Sequence, residues 1–397
     1  MNPIQIKDEI SPLKTVLLHK PGKELLNLTP DTLSSLLFDD IPYLKRAQEE
    51  HDQFAKALQK EGVKTLYLED LAAESIEKED IKEKFITQFL KESSLKSKKD
   101  YDTANRYLHE LTNPKDLILK TMEGISYYET GDRSIRKDMM ILPMPNLYFT
   151  RDSFACIGHS VSLNHMRYKV RNRETIYGEY IFNYHPFYSK TPLCYNRYDK
   201  YNIEGGDITN LNAHTLAIGI SQRTSKEGII KLSQNLFADP SSQIDTIYAI
   251  YIPSQRACMH LDTVFTQIDA NSFAIYPGII PTLKIYQITK KEPELKEISI
   301  SLKQLLSNIC ETEVRMISCG GDDMIAAQRE QWNDASNTLC IAPGKVIVYD
   351  RNEITNSLLK ENGIQIIEIP SYELSRGRGG PRCMSMPLQR GYKEEVE

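Results

Sequence analysis

The sequence predicts an α/β fold interrupted by a helical insertion. Three observations carry this. The chain opens as strand, helix, strand. Residues 75–136 then show only helical spacing. From Asp138 onward, short β-rich runs return, with helical stretches between some of them. Strands alternating with helices are the mark of an α/β architecture.

Lys14 to Lys20 is apolar and β-rich, and Pro21-Gly22 closes it as a turn. Leu44 to Gly62 places Leu44, Ala47, Phe54, Ala57 and Leu58 on one helical face. Lys64 to Leu68 reads as the second strand. In the insertion, Ile81, Phe85 and Phe89 repeat every four residues. Ala104, Tyr107, Leu108 and Leu111 carry a second helix, and Asn113-Pro114 breaks the pattern before a third. No strand is expected there, and Lys91 to Lys99 reads as a solvated connection. The expected division is 1–74 with 137–397 as the α/β unit, and 75–136 as an inserted helical bundle. Later strands are expected at Thr215–Ile220, Ile244–Ile252, Ser272–Tyr276, Lys345–Tyr349 and Ile364–Ile369. Helices are expected at Lys226–Phe237 and Leu302–Ile309. The stretch Tyr177 to Tyr201 holds seven of the 22 tyrosines, which suits aromatic packing or an interface.

Composition narrows the function classes. The 397 residues are 40% hydrophobic and 26% charged, enough apolar material for a sizeable core. Lysine and arginine number 49 against 54 acidic residues, a net charge of −5. That balance disfavours non-specific nucleic-acid binding, which needs a dense basic surface. No apolar run approaches the roughly 20 residues that span a bilayer, and residues 1–10 lack the pattern of a secretory signal. Seven widely spaced cysteines without a C-x-x-C pair argue against disulfides or a cysteine zinc site, and a cytoplasmic location is expected.

Five segments combine glycine, acid and turn residues at expected strand ends: 143–152, 202–207, 259–262, 318–323 and 375–387. Such loops are where α/β proteins place ligands. Together they offer cysteine, one histidine and several carboxylates, which three chemistries can use. His260, Asp262, Glu204 and Asp207 are candidate ligands for a cation. Cys383 with a histidine suits acyl transfer. The third reading uses the most residues: attack by a thiolate on a cationic carbon held between carboxylates. A guanidinium is planar and permanently charged, and its N–H fork matches carboxylates. Acids hold its edges while a soft nucleophile attacks its face, and a histidine protonates the leaving nitrogen and then activates water. Asp152, Glu204, His260, Asp262 and Cys383 supply each part. Because Asp152, Glu204 and Asp262 share one pocket, like-charge repulsion is expected to raise the pKa of at least one of them.

The segments MPNLYFTRD (144–152), RYKVRNRET (167–175), IEGGD (203–207), SQRT (221–224), MHLDT (259–263), REQW (329–332), YDRN (349–352) and GRGGPRCMSMP (377–387) resemble, in order and spacing, those of the arginine deiminase family. The resemblance covers nearly the whole chain. It implies a five-module α/β propeller of ββαβ repeats around a central pocket, with a helical insertion in the first module. It implies hydrolysis of L-arginine to L-citrulline and ammonia without metal or cofactor, and a homodimer or higher homo-oligomer. By motif position, Cys383 resembles the nucleophile that forms an amidino-thioether. His260 and Glu204 resemble the acid/base pair, and Asp152 and Asp262 the guanidinium clamp. Arg171, Arg223 and Asn146 match residues holding the substrate carboxylate, Phe149 matches the aromatic on the substrate stem, and Arg378 matches a mobile-loop arginine. Neighbouring chemistries on the same fold take agmatine or methylarginine, or transfer the amidino group. Agmatine has no carboxylate to pair with Arg171 and Arg223, and unpaired buried charges are costly.

Overall fold

The computed structural model describes residues 3–131 and 139–391. The expected boundary at 136/137 lies outside them. The chain is a mixed α/β fold of six open sheets among the described residues. Five sheets share one core: an antiparallel pair whose second strand lies parallel to a third. In the first, Leu13–Leu18 runs antiparallel to Met386–Arg390 and parallel to Lys64–Tyr67. The second is Phe154–Ile157, Ser160–Leu163 and Leu193–Tyr195. The third is Ile208–Asn210, Thr215–Ile220 and Thr246–Tyr251, widened to five strands by Lys284–Thr289 and Lys296–Ile298. The fourth is Phe265–Asp269, Ser272–Ile275 and Arg315–Ser318. The fifth is Leu339–Ala342, Lys345–Tyr349 and Gln365–Ile369.

Each parallel pairing requires a crossover, and each crossover carries a helix. These are Leu44–Lys60, Thr175–Tyr184, Lys226–Ala238, Leu302–Ile309 and Glu353–Glu361. Leu44–Lys60 buries Ala47, Phe54 and Leu58. Gly62, at φ +78°, ends it by letting Val63 N–H reach back to Leu58 O. In the first sheet the antiparallel partner comes from the far end of the chain, so the two ends are stitched together. No described helix is long and apolar enough to cross a membrane.

The helical segment holds Leu68–Ser75, Glu79–Glu92, Lys98–His109 and Pro114–Glu123. Ser97 and Asn113 cap the last two through their side-chain oxygens, and Pro114 occupies the first turn, where no N–H is needed. Ile81, Phe85 and Phe89 are buried as the spacing requires. Phe85 packs on Tyr177 and Tyr180, with ring centroids 6.2 and 5.1 Å away. Part of the tyrosine-rich stretch is thus the seat of these helices. One expectation fails: Ile125–Ser126 is a strand, paired with Met139–Ile141. Two residues are too few to show a period in the sequence.

The strands least visible in the sequence lead the later sheets. Phe154–Ile157, Ser160–Leu163 and Ile208–Asn210 are buried along their whole length, so they show no polar alternation. Their placement matters, because Asp152 lies just ahead of Phe154–Ile157 and Glu204 just ahead of Ile208–Asn210.

Candidate active site

Short helical turns deliver the key side chains. Thr150–Ser153 carries Asp152 into the second sheet, and Gly205–Asp207, next to Glu204, leads into the third. Leu261–Val264 carries Asp262, with His260 as its cap residue, into the fourth. Cys383 precedes the strand Met386–Arg390. Two glycines permit this convergence. A Cβ on Gly205 would lie 2.0 Å from the Arg151 carbonyl oxygen, and one on Gly206 would lie 2.7 Å from the His260 ring.

Eight expected site residues line one cavity: Asn146, Phe149, Asp152, Arg171, Arg223, His260, Arg378 and Cys383. Glu204 and Asp262 stand directly behind it, fully buried. His260 Nε2 lies 2.8 Å from Glu204 Oε2, and its Nδ1 lies 3.7 Å from Asp152 Oδ1. Cys383 Sγ lies 3.6 and 3.8 Å from the two oxygens of Asp262. Phe149 packs against Tyr148 with centroids 4.0 Å apart. Asn146 donates to Leu36 O at 2.8 Å.

Each carboxylate is matched by one buried arginine. Arg171 Nη1 donates to Asp152 at 2.8 Å and Arg382 Nη1 to Asp262 at 2.6 Å, while Arg223 Nη1 lies 3.5 Å from Glu204. Arg171 also forks onto Glu174. Arg223 additionally lies over the Tyr168 ring at 4.8 Å. Arg378 stacks over Trp332 at 3.5 Å and takes a left-handed φ of 67°, uncommon for a residue with a Cβ. Several buried polar atoms of the lining residues have no hydrogen-bond partner: Asp152 Oδ1, which faces only the His260 Nδ1 at 3.7 Å, Arg223 Nε, and Arg378 Nε and Nη1. The cavity therefore offers an acceptor for a cation and donors for an anion.

The titration pattern follows from this layout. Burial disfavours the His260 imidazolium, but Asp152, Glu204 and Asp207 outweigh it and raise its pKa to about 9. Burial also opposes ionisation of Glu204, yet Arg223, His260 and Arg171 pull it down to about 2. The acid crowding expected from the sequence therefore does not raise Glu204, because the matched cations dominate. The Cys383 thiol is pushed well above its ordinary value by burial, then by Asp262, Asp152 and Asp334, with Arg382 opposing. Near neutral pH this arrangement favours the protonated thiol and the charged imidazole.

The cation-ligand set read from the sequence does not assemble. Asp207 is occupied by Ser221 Oγ at 2.6 Å and Leu261 N–H at 2.8 Å, and Asp262 is turned to Arg382 and Cys383. Asp152, Glu204 and His260 do hold ligand atoms within 4.8 Å of one another. Two arginines and an imidazolium already compensate that charge, and a divalent cation has to displace them. Three residues absent from the sequence reading also belong to the site. Arg382 and Glu9 brace Asp262 from below. Asn337 donates to Asp262 O at 2.9 Å and accepts the Cys383 N–H at 3.0 Å. Arg382 was visible beside Cys383 in the motif, whereas Asn337 carried no motif signal.

A family model described as arginine deiminase matches residues 34–390. The chain belongs to the arginine deiminase family. Arginine deiminase from Treponema denticola is 52% identical over 98% of both chains. The Clostridium perfringens arginine deiminase is 48% identical, again over 98% of each chain. One from Streptococcus pneumoniae is 49% identical, over 100% of this chain and 99% of its own. Among solved structures, an amidinotransferase from Microseira wollei superposes with a TM-score of 0.58 at 14% identity, covering 98% of this chain and 97% of its own. DDAH from Pseudomonas aeruginosa superposes at 0.52 and 15% identity, covering 94% and 99%. These structural likenesses concern the fold, whereas the curated relatives match along the length of the chain.

Proposed function

We propose that this arginine deiminase family member hydrolyses L-arginine to L-citrulline and ammonia at the cavity, through a covalent intermediate on Cys383. The observation that carries this reading is the polarity of the cavity. A free carboxylate oxygen of Asp152 and the carboxylate of Asp262 lie at the Cys383 end, while unpartnered guanidinium nitrogens of Arg223 and Arg378 serve an anion. L-Arginine carries a cation at one end and a carboxylate at the other.

The substrate guanidinium sits between Asp152 and Asp262. Its charge offsets the two carboxylates that, with burial, hold the thiol protonated, so the substrate itself favours the Cys383 thiolate. The thiol proton leaves to solvent on binding, and the second proton of the attacking water returns to the sulfur when the C–S bond breaks. The sulfur attacks the guanidinium carbon and forms a C–S bond. His260, charged and oriented by Glu204, gives its proton to the terminal nitrogen as the C–N bond breaks and ammonia leaves. The neutral imidazole then takes a proton from water, whose oxygen attacks the same carbon. The C–S bond breaks, the sulfur pair returns to Cys383, and citrulline departs. Arg171, Arg223 and Asn146 receive the α-carboxylate, Phe149 packs on the aliphatic stem, and Arg378 closes over the bound amino acid. Arg171 and Arg223 exchange their present carboxylate partners for that of the substrate.

The five sheets with one shared pairing pattern support reading the fold as a five-module propeller, with residues 75–136 inserted into the first module. The catalytic unit in this reading is 1–74 with 137–397. A cytoplasmic homodimer or higher homo-oligomer completes the proposal. Acid-quenched turnover mixtures analysed by mass spectrometry test the mechanism. The peptide holding Cys383 should gain the mass of arginine less ammonia. An adduct on any other residue, or turnover by the parent with no adduct on the Cys383 peptide, contradicts it.

A further inference from the structure

The residue before the nucleophile, Arg382, is a buried arginine bonded to two carboxylates. Arg382 is 2% exposed. Its Nη1 donates to Asp262 Oδ2 at 2.6 Å. Its Nη2 donates to Glu9 Oε1 at 3.0 Å and Ile208 O at 2.9 Å, and its Nε donates to Glu9 Oε2 at 3.3 Å. Glu9 thus grips one edge of the guanidinium with both oxygens, and Nη1 at the other end grips Asp262. Burial works against a charged Glu9, but Arg382, Arg151 and Arg390 hold its carboxyl down at about 2. The same Asp262 oxygen that Arg382 binds lies 3.6 Å from Cys383 Sγ.

We propose that Arg382, anchored by Glu9, is a positioning residue for the reaction: it fixes the Asp262 carboxylate against Cys383 and the substrate guanidinium. This rests on the roles proposed above for Cys383 and Asp262. Arg382 does not line the cavity and acts through Asp262. Asn337 fixes the Asp262 and Cys383 backbones to each other, which leaves the direction of the carboxylate to Arg382. A planar fork suits this task better than an ammonium, since it bonds two acids along different edges at once.

The groups facing Cys383 are Asp262, Asp152 and Asp334 alongside Arg382, and those facing Arg382 are Glu9, Asp262, Arg151 and Arg390. The test compares Arg382→Gln, Arg382→Lys and Glu9→Gln with the parent by kcat, KM for L-arginine, calorimetric folding and the pH dependence of Cys383 alkylation by iodoacetamide, followed on its own peptide. Misplacing a reacting group by an ångström costs on the order of 100-fold in rate. Arg382→Gln should lose kcat on that scale, with a smaller rise in KM, and its Cys383 should alkylate only at higher pH. Arg382→Lys keeps the charge and should restore the alkylation profile while recovering kcat in part. Glu9→Gln should shift both in the direction of Arg382→Gln, but less. A folded Arg382→Gln with kcat within about twofold of the parent overturns the proposal, against that expected scale. If Arg382→Gln does not fold, parent-like kcat and alkylation in both other variants overturn it. A kcat loss that merely tracks loss of folded protein, with alkylation unchanged, also overturns it. Full activity in Cys383→Ser would instead sink the underlying reading.

Discussion

His260 Nε2 and Glu204 Oε2 lie 2.8 Å apart at the back of the cavity, and the imidazole also faces Asp152 and Asp207. This contact sets the protonation state with which the empty site meets its substrate.

It also sets a pH window for stability. The folded pKa of His260, about 9, lies above the ordinary 6.5, so its stabilisation is complete below 6.5 and fades as pH rises through 9. Glu204 lies at about 2, below the ordinary 4.5, so its share is present above 4.5 and lost as pH falls through 2. The Tm deficit of Glu204→Gln against the parent should therefore be largest between pH 4.5 and 6.5 and shrink toward pH 9. A deficit that is flat across this range, in differential scanning calorimetry, contradicts the pair.

Arg223 should govern selectivity for a substrate carboxylate. Arg223→Met should raise KM for L-arginine by roughly 100-fold, the scale of losing a charge-assisted contact. Agmatine turnover should change far less, so the ratio of kcat/KM for the two substrates collapses. An unchanged ratio removes Arg223 from carboxylate recognition.

Trp332 is the single tryptophan of the chain, and Arg378 stacks on it at 3.5 Å. Closure of Arg378 over a bound amino acid removes that cation from the ring. Titrating L-arginine into Cys383→Ser should change Trp332 emission saturably, and Arg378→Ala should abolish the change. A response that persists in Arg378→Ala, measured at the same wavelength, argues that Arg378 stays on Trp332.

Gly206 leaves room for the His260 ring. A Cβ there would approach the ring at 2.7 Å, so Gly206→Ala must displace the imidazole. The variant should remain folded and lose on the order of 100-fold in kcat, since the proton donor is misplaced. Parent-like kcat would show that the ring position is not limiting.

The sequence made much of this legible, for identifiable reasons. Periodic, long elements such as Leu44–Lys60 and Lys226–Ala238 were visible because one face of each is buried against a sheet. Strands such as Phe154–Ile157 were not, because burial on both faces removes alternation. The site's acids, His260 and Cys383 were legible as glycine-rich loops at strand ends. Their neutralisation was not: Glu204 is held down by Arg223 and His260, segments far apart in the chain that only the fold brings together. The brace formed by Glu9 and Arg382 escaped for the same reason, its partners lying 373 positions apart.

The central claim is that Cys383 carries the chemistry on L-arginine. The most direct measurement is citrulline and ammonia release from L-arginine by the chelator-treated parent protein beside Cys383→Ser. The account predicts equal amounts of both products from the parent and none from the variant. Near-normal release by Cys383→Ser would contradict it.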